Sequence, residues 1–167
     1  NATAVNDAGL TFAASTVGGN LSATATTGNM TDSGALTITG TSSFTTSVNN
    51  ADIILNNTNA FTGAVSLNTT GSEFGSSGDA TIDNGTTALI LAASSVGGNL
   101  NVRSGNSITD SGTVTVGQAF SATTDANNGV INLDQLAINN GIHLRTHGNG
   151  NATAVNDAGF LFGGSGS

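Results

Sequence analysis

The sequence predicts an all-β fold, a single parallel β-helix (β-solenoid) with about 20 residues per coil. Three observations predict it: the chain repeats itself at long range, apolar and polar residues alternate in short triplets, and turn signals without proline separate the triplets. Self-similarity of this kind marks architectures in which each unit buries its apolar face against the next unit. Strands this short, in a repeating sequence, favour a solenoid over an antiparallel sandwich.

The long-range repeat has an outer and an inner spacing. Residues 1–9 return letter for letter at residues 151–159, 150 positions later. Between them, residues 13–21 return with one change at residues 92–100, and a second segment, residues 30–34, returns at residues 108–112. These spacings predict one β-helix over residues 1–167, with internal super-repeats at about 1–78 and 79–150 and the start of a further copy at 151–167.

Each triplet places a small polar residue between two apolar ones. Side chains alternate between the two faces of a strand, so the outer two residues should point into the solenoid and the middle one outward. The expected inward residues include Leu36, Ile38, Leu100, Val102, Val114 and Val116. The expected outward residues include Thr37, Asn101 and Thr115.

Turn signals separate these triplets. The Asn-Gly pairs, of which Asn84-Gly85 and Asn128-Gly129 are examples, suit positive φ, and two Gly-Gly-Asn turns end at Asn20 and Asn99. No segment shows helical spacing over more than one turn.

Four phenylalanines are expected to stack in the interior or to fill its wider corners: Phe12, Phe44, Phe61 and Phe120. Phe44 and Phe120 occupy corresponding places in the two halves of the sequence, which suggests one recurring corner pocket.

Composition excludes several classes of function. Lysine is absent, Arg103 and Arg145 are the only strong bases, and the formal net charge is −8. Nucleic-acid binding needs clustered cations, so it is excluded, and an anionic membrane surface would repel the chain. No apolar run is long enough to span a membrane, so direct membrane insertion is not expected. Without cysteine, the chain has neither disulfides nor thiolate metal sites.

Three short segments carry a resemblance to a known family: Val17–Leu21, Leu36–Gly40 and Ile108–Gly112. They resemble the degenerate repeats of filamentous-haemagglutinin-type exoproteins, which are very large surface and secreted proteins of Gram-negative bacteria. The resemblance covers essentially the whole chain. It implies a right-handed β-helix shaft, located extracellularly or on the bacterial surface, that holds an adhesive or effector region away from the cell. Any host or cell-surface ligand would then bind through regions outside this chain.

The titratable residues do not predict a catalytic, cofactor-binding or metal-binding site. His143 lies in a strand-like triplet and His147 in a Gly-Asn run, so the two imidazoles should face solvent without converging. Asp32 and Asp110 occupy equivalent places in the Thr-Asp-Ser-Gly echo, and each is expected to accept backbone hydrogen bonds in its own turn. The segment 125–129 resembles a calcium loop only faintly, because it lacks a distal bidentate carboxylate.

Three functions compete on this sequence. The first is a structural or adhesive shaft module of a bacterial surface or secreted fibrous protein, which is not an enzyme. The second is an ice-binding solenoid, suggested by pairs such as Thr24 with Thr26, Thr37 with Thr39 and Thr113 with Thr115. The third is a polysaccharide-processing β-helix enzyme. That class gathers bases and carboxylates on one face, and two arginines 42 residues apart do not predict such a cluster.

The two ends of the solenoid are expected to be open. A β-helix ends in unpaired strand edges, which natural proteins cover with helices, charges or proline. This sequence contains no proline, no lysine and no amphipathic helix pattern, and a new copy of the repeat begins at residue 151. We therefore expect end-to-end self-association, into a homo-oligomer or filament, or covalent continuation into a longer array.

Overall fold

The computed structural model of the chain describes residues 1–71 and 77–158 as parallel strands stacked into a β-solenoid of about seven turns, with roughly 21 residues per turn. This confirms the all-β fold class predicted from the sequence. The described residues contain no helix, and hence none that is long and apolar enough to cross a membrane. With a rise of about 4.8 Å per coil, seven coils extend about 34 Å along the axis.

Each coil passes through three strands, and strands at the same position in successive coils form one face of the solenoid. The first face contains β1 (Ala2–Asn6), β4 (Leu21–Ala25), β7 (Ser42–Asn49), β10 (Val65–Thr70), β13 (Ser94–Val96), β16 (Val114–Val116) and the second half of β18 (Ile131–Ile138). The second face contains β2 (Leu10–Phe12), β5 (Met30–Asp32), β8 (Ile53–Leu55), β11 (Ala80–Asp83), β14 (Leu100–Ser104), β17 (Phe120–Asn127) and β19 (Ile142–His147). The third face contains β3 (Ser15–Val17), β6 (Leu36–Ile38), β9 (Ala60–Phe61), β12 (Leu89–Leu91), β15 (Ile108–Asp110), the first half of β18, and β20 (Ala152–Asn156).

The register between coils is regular. Most paired residues lie 19 to 23 positions apart in sequence, as in Ala2 with Leu21 and Leu89 with Ile108. The spacing widens to 27 between Ile53 and Ala80. On the third face the ladder is interrupted after β9, and β10 instead pairs with both β12 and β13.

The interior agrees with the prediction from the triplets. The six residues expected inside are all buried, and the three expected outside are all exposed. Alternation therefore assigns the two sides of these strands correctly, because one side packs on a continuous apolar core and the other faces water.

Three of the four phenylalanines expected in the interior form a row in which Phe44 contacts both Phe12 and Phe61. The Phe12 and Phe44 rings are 6.4 Å apart between centroids, and the Phe44 and Phe61 rings are 5.6 Å apart, both edge to face. The expectation of one recurring pocket for Phe44 and Phe120 is wrong. Phe44 lies on β7 of the first face, whereas Phe120 lies on β17 of the second face.

This difference has a general cause: the sequence repeat is out of phase with the coil. The segment at residues 13–21 contains β3 and the start of β4, and its echo at residues 92–100 contains β13 and the start of β14. Each echo therefore lies ten strands later. Ten strands make three and one third coils, so equivalent segments lie on different faces. The exact copy of β1 is β20, which pairs with β18 on the third face although β1 lies on the first.

Candidate functional site

Charged side chains gather on the second face, in the C-terminal half of the solenoid. Arg103 lies on β14 and Arg145 on β19, and the register places both in one column with Thr123 of β17 between them. The 42 positions between the arginines thus correspond to two coils of 20 and 22 residues. The expectation that this spacing fails to gather the bases on one face was wrong, because each coil returns to the same face.

Two carboxylates complete this cluster. Asp83 of β11 is the register partner of Arg103, and its Oδ2 lies 3.8 Å from Arg103 Nη1. Arg103 Nε donates a hydrogen bond to Asp125 Oδ2 at 2.5 Å. This hydrogen bond, together with the charges of Asp125 and Asp83, raises the pKa of Arg103 above its ordinary value. The Arg103 side chain is 58% exposed, so salt will screen these ion pairs.

The cluster borders an open groove that crosses β11, β14, β17 and β19. The groove has a volume of about 600 Å³. Besides the three ion-paired residues, its polar lining includes Thr81, Asn101, Ser121, Thr123, Arg145 and His147. Hydroxyls, amides and charged groups therefore stand in rows, one coil above the next. Such rows offer both donors and acceptors of hydrogen bonds to a polar ligand.

Arg145 differs from Arg103 in having no ion-pair partner. Within the described residues, both ion pairs involve Arg103, and Arg145 is exposed at the C-terminal side of the groove. The cluster thus combines a triad of net charge −1 with one guanidinium that has no ion-pair partner among the described residues. A free guanidinium in reach of hydroxyl and amide groups can recognise a carboxylate through two parallel hydrogen bonds.

Both histidines lie on β19, and both are exposed. His147 is the last residue of this strand and pairs with Asn127, so its expected place in a loop is corrected. Four positions along one strand separate His143 from His147 by about 13 Å, and the two imidazoles do not converge. The described residues contain no group of three His, Asp or Glu side chains that could hold a metal ion.

Asp32 and Asp110 perform the same structural task on different faces. Asp32 accepts hydrogen bonds from the backbone N–H groups of Asn56 and Asn57, and Asp110 accepts them from Asp134 and Gln135. Both carboxylates bind the backbone of the next coil, not their own turn as the sequence suggested. The two residues lie on β5 of the second face and β15 of the third, so they do not form a catalytic pair.

Other Asx side chains connect coils at the corner that precedes the second face. In each case Oδ1 accepts a hydrogen bond from a backbone N–H one coil later. The donor–acceptor pairs are Asp52 to Asn29, Asp79 to Asp52, Asn99 to Asp79 and Ala119 to Asn99. These carboxylates and amides form a ladder that ties five coils together.

The segment 125–129, which resembles a calcium loop in sequence, contains the end of β17 and the turn that follows it. Asp125 is bound to Arg103, Asn128 adopts a φ of 66°, and the Gly129 N–H donates to the Ala126 carbonyl at 3.1 Å. Asn128 Oδ1 accepts from the Asn149 N–H at 3.1 Å, so this side chain also serves the next coil.

The threonine pairs do not share one face. Thr24 lies on β4 and Thr115 on β16, both on the first face but four coils apart, and Thr37 lies on β6 of the third face. In the column that contains Thr24, the outward residues of successive coils are Thr45, Asn68 and Ser95. The regular Thr array that ice binding needs is therefore interrupted.

Comparison with known proteins identifies a repeat family. Residues 1–68 and 77–158 match the family described as repeats of unknown function (DUF5649). No curated protein and no solved structure matches the chain. Because the match covers most of the 167 residues, the protein belongs to the DUF5649 family of repeats.

Proposed function

We propose that this chain is a shaft module of a fibrous protein that bacteria secrete or display on their surface, and that such modules continue or assemble end to end. The observation that carries the proposal is the distribution of burial along the axis. One apolar core runs through the middle coils. The apolar residues that pack on this core but stay partly exposed all belong to the first or last coil: Ala2, Leu10, Phe12, Val17, Ile142, Leu144 and Ala154.

The backbone at both ends supports the same proposal. In the described part of the chain, the strands of the first coil pair on one side only, with β4, β5 and β6, and β19 pairs only with β17. Considering the described residues alone, each of these strand edges offers N–H and C=O groups to another strand. A further coil stacked on either end would pair these groups and bury the partly exposed apolar residues.

The bacterial surface location and the adhesive context rest on the resemblance to filamentous-haemagglutinin-type exoproteins. A repeat solenoid is consistent with that role, because its length grows with repeat number while its cross-section stays constant. A host or cell-surface ligand of the whole protein would engage other regions. The shaft role requires neither catalysis nor a cofactor, and we propose neither.

The test compares one substitution at the end of the solenoid with the same substitution on its side. Val5 lies on the open strand β1 and is 65% exposed, whereas Val48 on β7 is 38% exposed. Lysine on an edge strand opposes edge-to-edge pairing. We expect light scattering to show a mass that rises with concentration for the unmodified chain and for Val48→Lys. Val5→Lys should shift this rise to higher concentration.

Negative-stain electron microscopy of the same samples supplies the second readout. The unmodified chain should form unbranched rods of constant width. A monomeric species at every concentration would overturn end-to-end assembly of the chain, and so would equal assembly of Val5→Lys and Val48→Lys.

A further inference from the structure

We propose that Asn140 is a site of spontaneous covalent modification, at which the chain closes a succinimide ring and converts this asparagine to aspartate and isoaspartate. The reaction needs an asparagine side chain, the backbone nitrogen of the next residue, and water. This inference goes beyond the shaft function, since a shaft requires no chemical change in its own chain.

The sequence places the two reacting groups side by side at four Asn-Gly pairs. Glycine after asparagine favours ring closure, because no side chain covers its backbone nitrogen. Any difference in reactivity between the four pairs therefore comes from the fold. The pairs are Asn84-Gly85, Asn128-Gly129, Asn140-Gly141 and Asn149-Gly150.

In three of the four pairs, the glycine N–H is bound away from the preceding side chain. Asn84 is in addition fully buried, and its amide is held by backbone groups of the surrounding coils. The three acceptors are Asp83 Oδ1 for the Gly85 N–H, at 2.8 Å, the Ala126 carbonyl for the Gly129 N–H, at 3.1 Å, and the His147 carbonyl for the Gly150 N–H, at 3.3 Å.

The Gly141 N–H instead donates to the side chain of the asparagine before it. The distance from the Gly141 nitrogen to Asn140 Oδ1 is 3.0 Å. Because a C=O bond is about 1.2 Å long, Asn140 Cγ lies at most about 4.2 Å from this nitrogen, and bond formation starts from about 3–3.5 Å. Asn140 is exposed, and its side chain makes no other hydrogen bond within residues 1–71 and 77–158, so a side-chain rotation can close the gap.

The end of the Asx ladder at the corner before the second face explains this arrangement. In that ladder each backbone N–H donates to an Asx side chain one coil earlier, and the last such donor is the Ala119 N–H. Phe120 pairs with Ile142, so Gly141 lies one coil after Ala119. Alanine has no side-chain acceptor, and the Gly141 N–H is therefore left to its own neighbour, Asn140.

Ring closure and hydrolysis balance with water as the only reagent. Hydroxide takes the proton of the Gly141 nitrogen, which then bonds to Asn140 Cγ. The Cγ–Nδ2 bond breaks, and Nδ2 leaves as ammonia with a proton from water. Water then opens the ring: cleavage between the Gly141 nitrogen and Cγ yields aspartate, and cleavage between that nitrogen and the main-chain carbonyl carbon yields isoaspartate. Either product adds one negative charge, and no atom is oxidised or reduced.

Isoaspartate also lengthens the main chain by one carbon atom between two hydrogen bonds that join coils. The Asn139 N–H donates to the Val116 carbonyl at 3.1 Å, and the Gly141 carbonyl accepts from the Phe120 N–H at 2.9 Å. The extra atom changes the spacing between these bonds. We therefore expect β19, which follows directly, to pair less firmly with β17 and to exchange its amide hydrogens faster.

The experiment incubates the unmodified chain in mildly alkaline buffer made with heavy-oxygen water, once folded and once in denaturant. Trypsin cuts after Arg103 and Arg145, so Asn84, Asn140 and Asn149 fall in three different peptides. In the folded chain, Asn140 should react at least about tenfold faster than the other Asn-Gly sites, because small misplacements of reacting groups cost that much or more. In denaturant the Asn-Gly sites should react at similar rates.

Mass spectrometry with electron-transfer fragmentation distinguishes the sites that share a peptide and separates isoaspartate from aspartate. Asn106 provides an internal reference, since its Oδ1 accepts from the Ser107 N–H at 2.8 Å in the same manner. The Ser107 side chain stands beside the attacking nitrogen, so Asn106 should react more slowly than Asn140.

Two substitutions at one position test the ladder argument. Ala119→Asn supplies the missing acceptor for the Gly141 N–H, and it should slow the reaction of Asn140 about fivefold, the equivalent of one net hydrogen bond. Ala119→Leu has a side chain of similar size without an acceptor, and it should react like the unmodified chain. Gly141→Ala should also slow the reaction, and its methyl group would meet no atom within 4 Å. A circular dichroism melt of each variant checks its fold.

Two outcomes would overturn the proposal: a rate at Asn140 no higher than at Asn149 in the folded chain, or equal rates for Ala119→Asn and the unmodified chain. The comparison of folded and denatured chains needs no mutation, so it decides the role of the fold even if a variant does not fold. Unchanged hydrogen exchange of β19 after isoaspartate formation would refute the expected loosening of this strand. The light-scattering test of assembly uses unreacted protein, so failure here is distinguishable from failure of the shaft function.

Discussion

Buried asparagines replace missing backbone partners where the coil turns from the second face to the third. Asn84 Oδ1 accepts a hydrogen bond from the Phe61 N–H at 2.6 Å, and its Nδ2 donates to the carbonyls of Phe61 and Ala88. Asn59 does the same for the Leu36 N–H, at 2.7 Å, one coil earlier. Neither side chain is more than 1% exposed. The Asn84 amide thus supplies both the donor and the acceptor that a neighbouring strand would otherwise provide to Phe61, and the Asn59 amide supplies the acceptor for Leu36.

We expect Asn84→Ala to lower the free energy of unfolding by about 1–3 kcal/mol, because the buried Phe61 N–H loses its partner. Asn101→Ala is the control, since Asn101 is exposed in the middle of β14, and it should change stability by less than about 0.5 kcal/mol. Denaturant unfolding followed by circular dichroism measures both. Equal losses for the two variants would contradict the role assigned to Asn84.

The sequence did not indicate this role for Asn84. The Asn84-Gly85 pair predicts a turn, and Gly85 does adopt a positive φ of 53°. The interior position of the Asn84 amide depends on Phe61, which lies 23 residues earlier and one coil away. Short-range patterns identify the turn, but they do not specify what the side chain meets across the coil.

Two turns of identical sequence lie against different surroundings in the solenoid. The turns at Val17–Asn20 and Val96–Asn99 have the same sequence, Val-Gly-Gly-Asn. A methyl group built on Gly97 would overlap the carbonyl oxygen of Gly71, whereas one built on Gly18 would have no atom within 4 Å. The first turn leads from the third face to the first, and the second turn leads from the first face to the second.

Gly97→Ala should therefore destabilise the protein by about 1–3 kcal/mol, through displacement of the coil that contains Gly71. Gly18→Ala should lie within about 0.5 kcal/mol of the unmodified chain. The two substitutions change the same residue in the same local sequence, so thermal melting of both isolates the effect of the neighbouring coil. A similar melting temperature for the two variants would show that the local turn conformation, not the stacking, decides the cost.

Strand positions and strand faces were predictable from the sequence, and the charged cluster was not. Period-two alternation depends on residues two positions apart, so Leu36, Thr37 and Ile38 were placed correctly. The cluster depends on which residues are one coil apart. That spacing varies between 19 and 27 positions, so the sequence alone does not align Arg103 with Arg145.

At the scale of the whole molecule, the phase difference between repeat and coil determines how successive units are oriented. Residues 1–150 contribute twenty strand positions when the two halves of β18 are counted separately, which is six and two thirds coils. The copy of β1 that follows, β20, already lies on the third face and pairs in register with β18, with Ala152 opposite Ile131. A second unit would thus be rotated by one face relative to the first.

This rotation can be tested on a two-unit chain, in which residues 1–150 occur twice in succession. We expect one continuous solenoid whose second charged groove lies on the face that β1, β4 and β7 form in the first unit. Spin labels on Arg145→Cys in both units should be farther apart than the axial rise of about 32 Å for six and two thirds coils, because the two labels also point in different directions from the axis.

Spin labels on Thr31 and His143 of the same unit supply the control. They occupy one column of the second face, five coils apart, and labels there should report the axial rise alone, about 24 Å. A distance between the two copies of position 145 equal to the axial rise would mean that the grooves are in line, and the repeat would then match a whole number of coils. With rotated grooves, a fibre of such units presents its charged clusters on each of the three faces in turn.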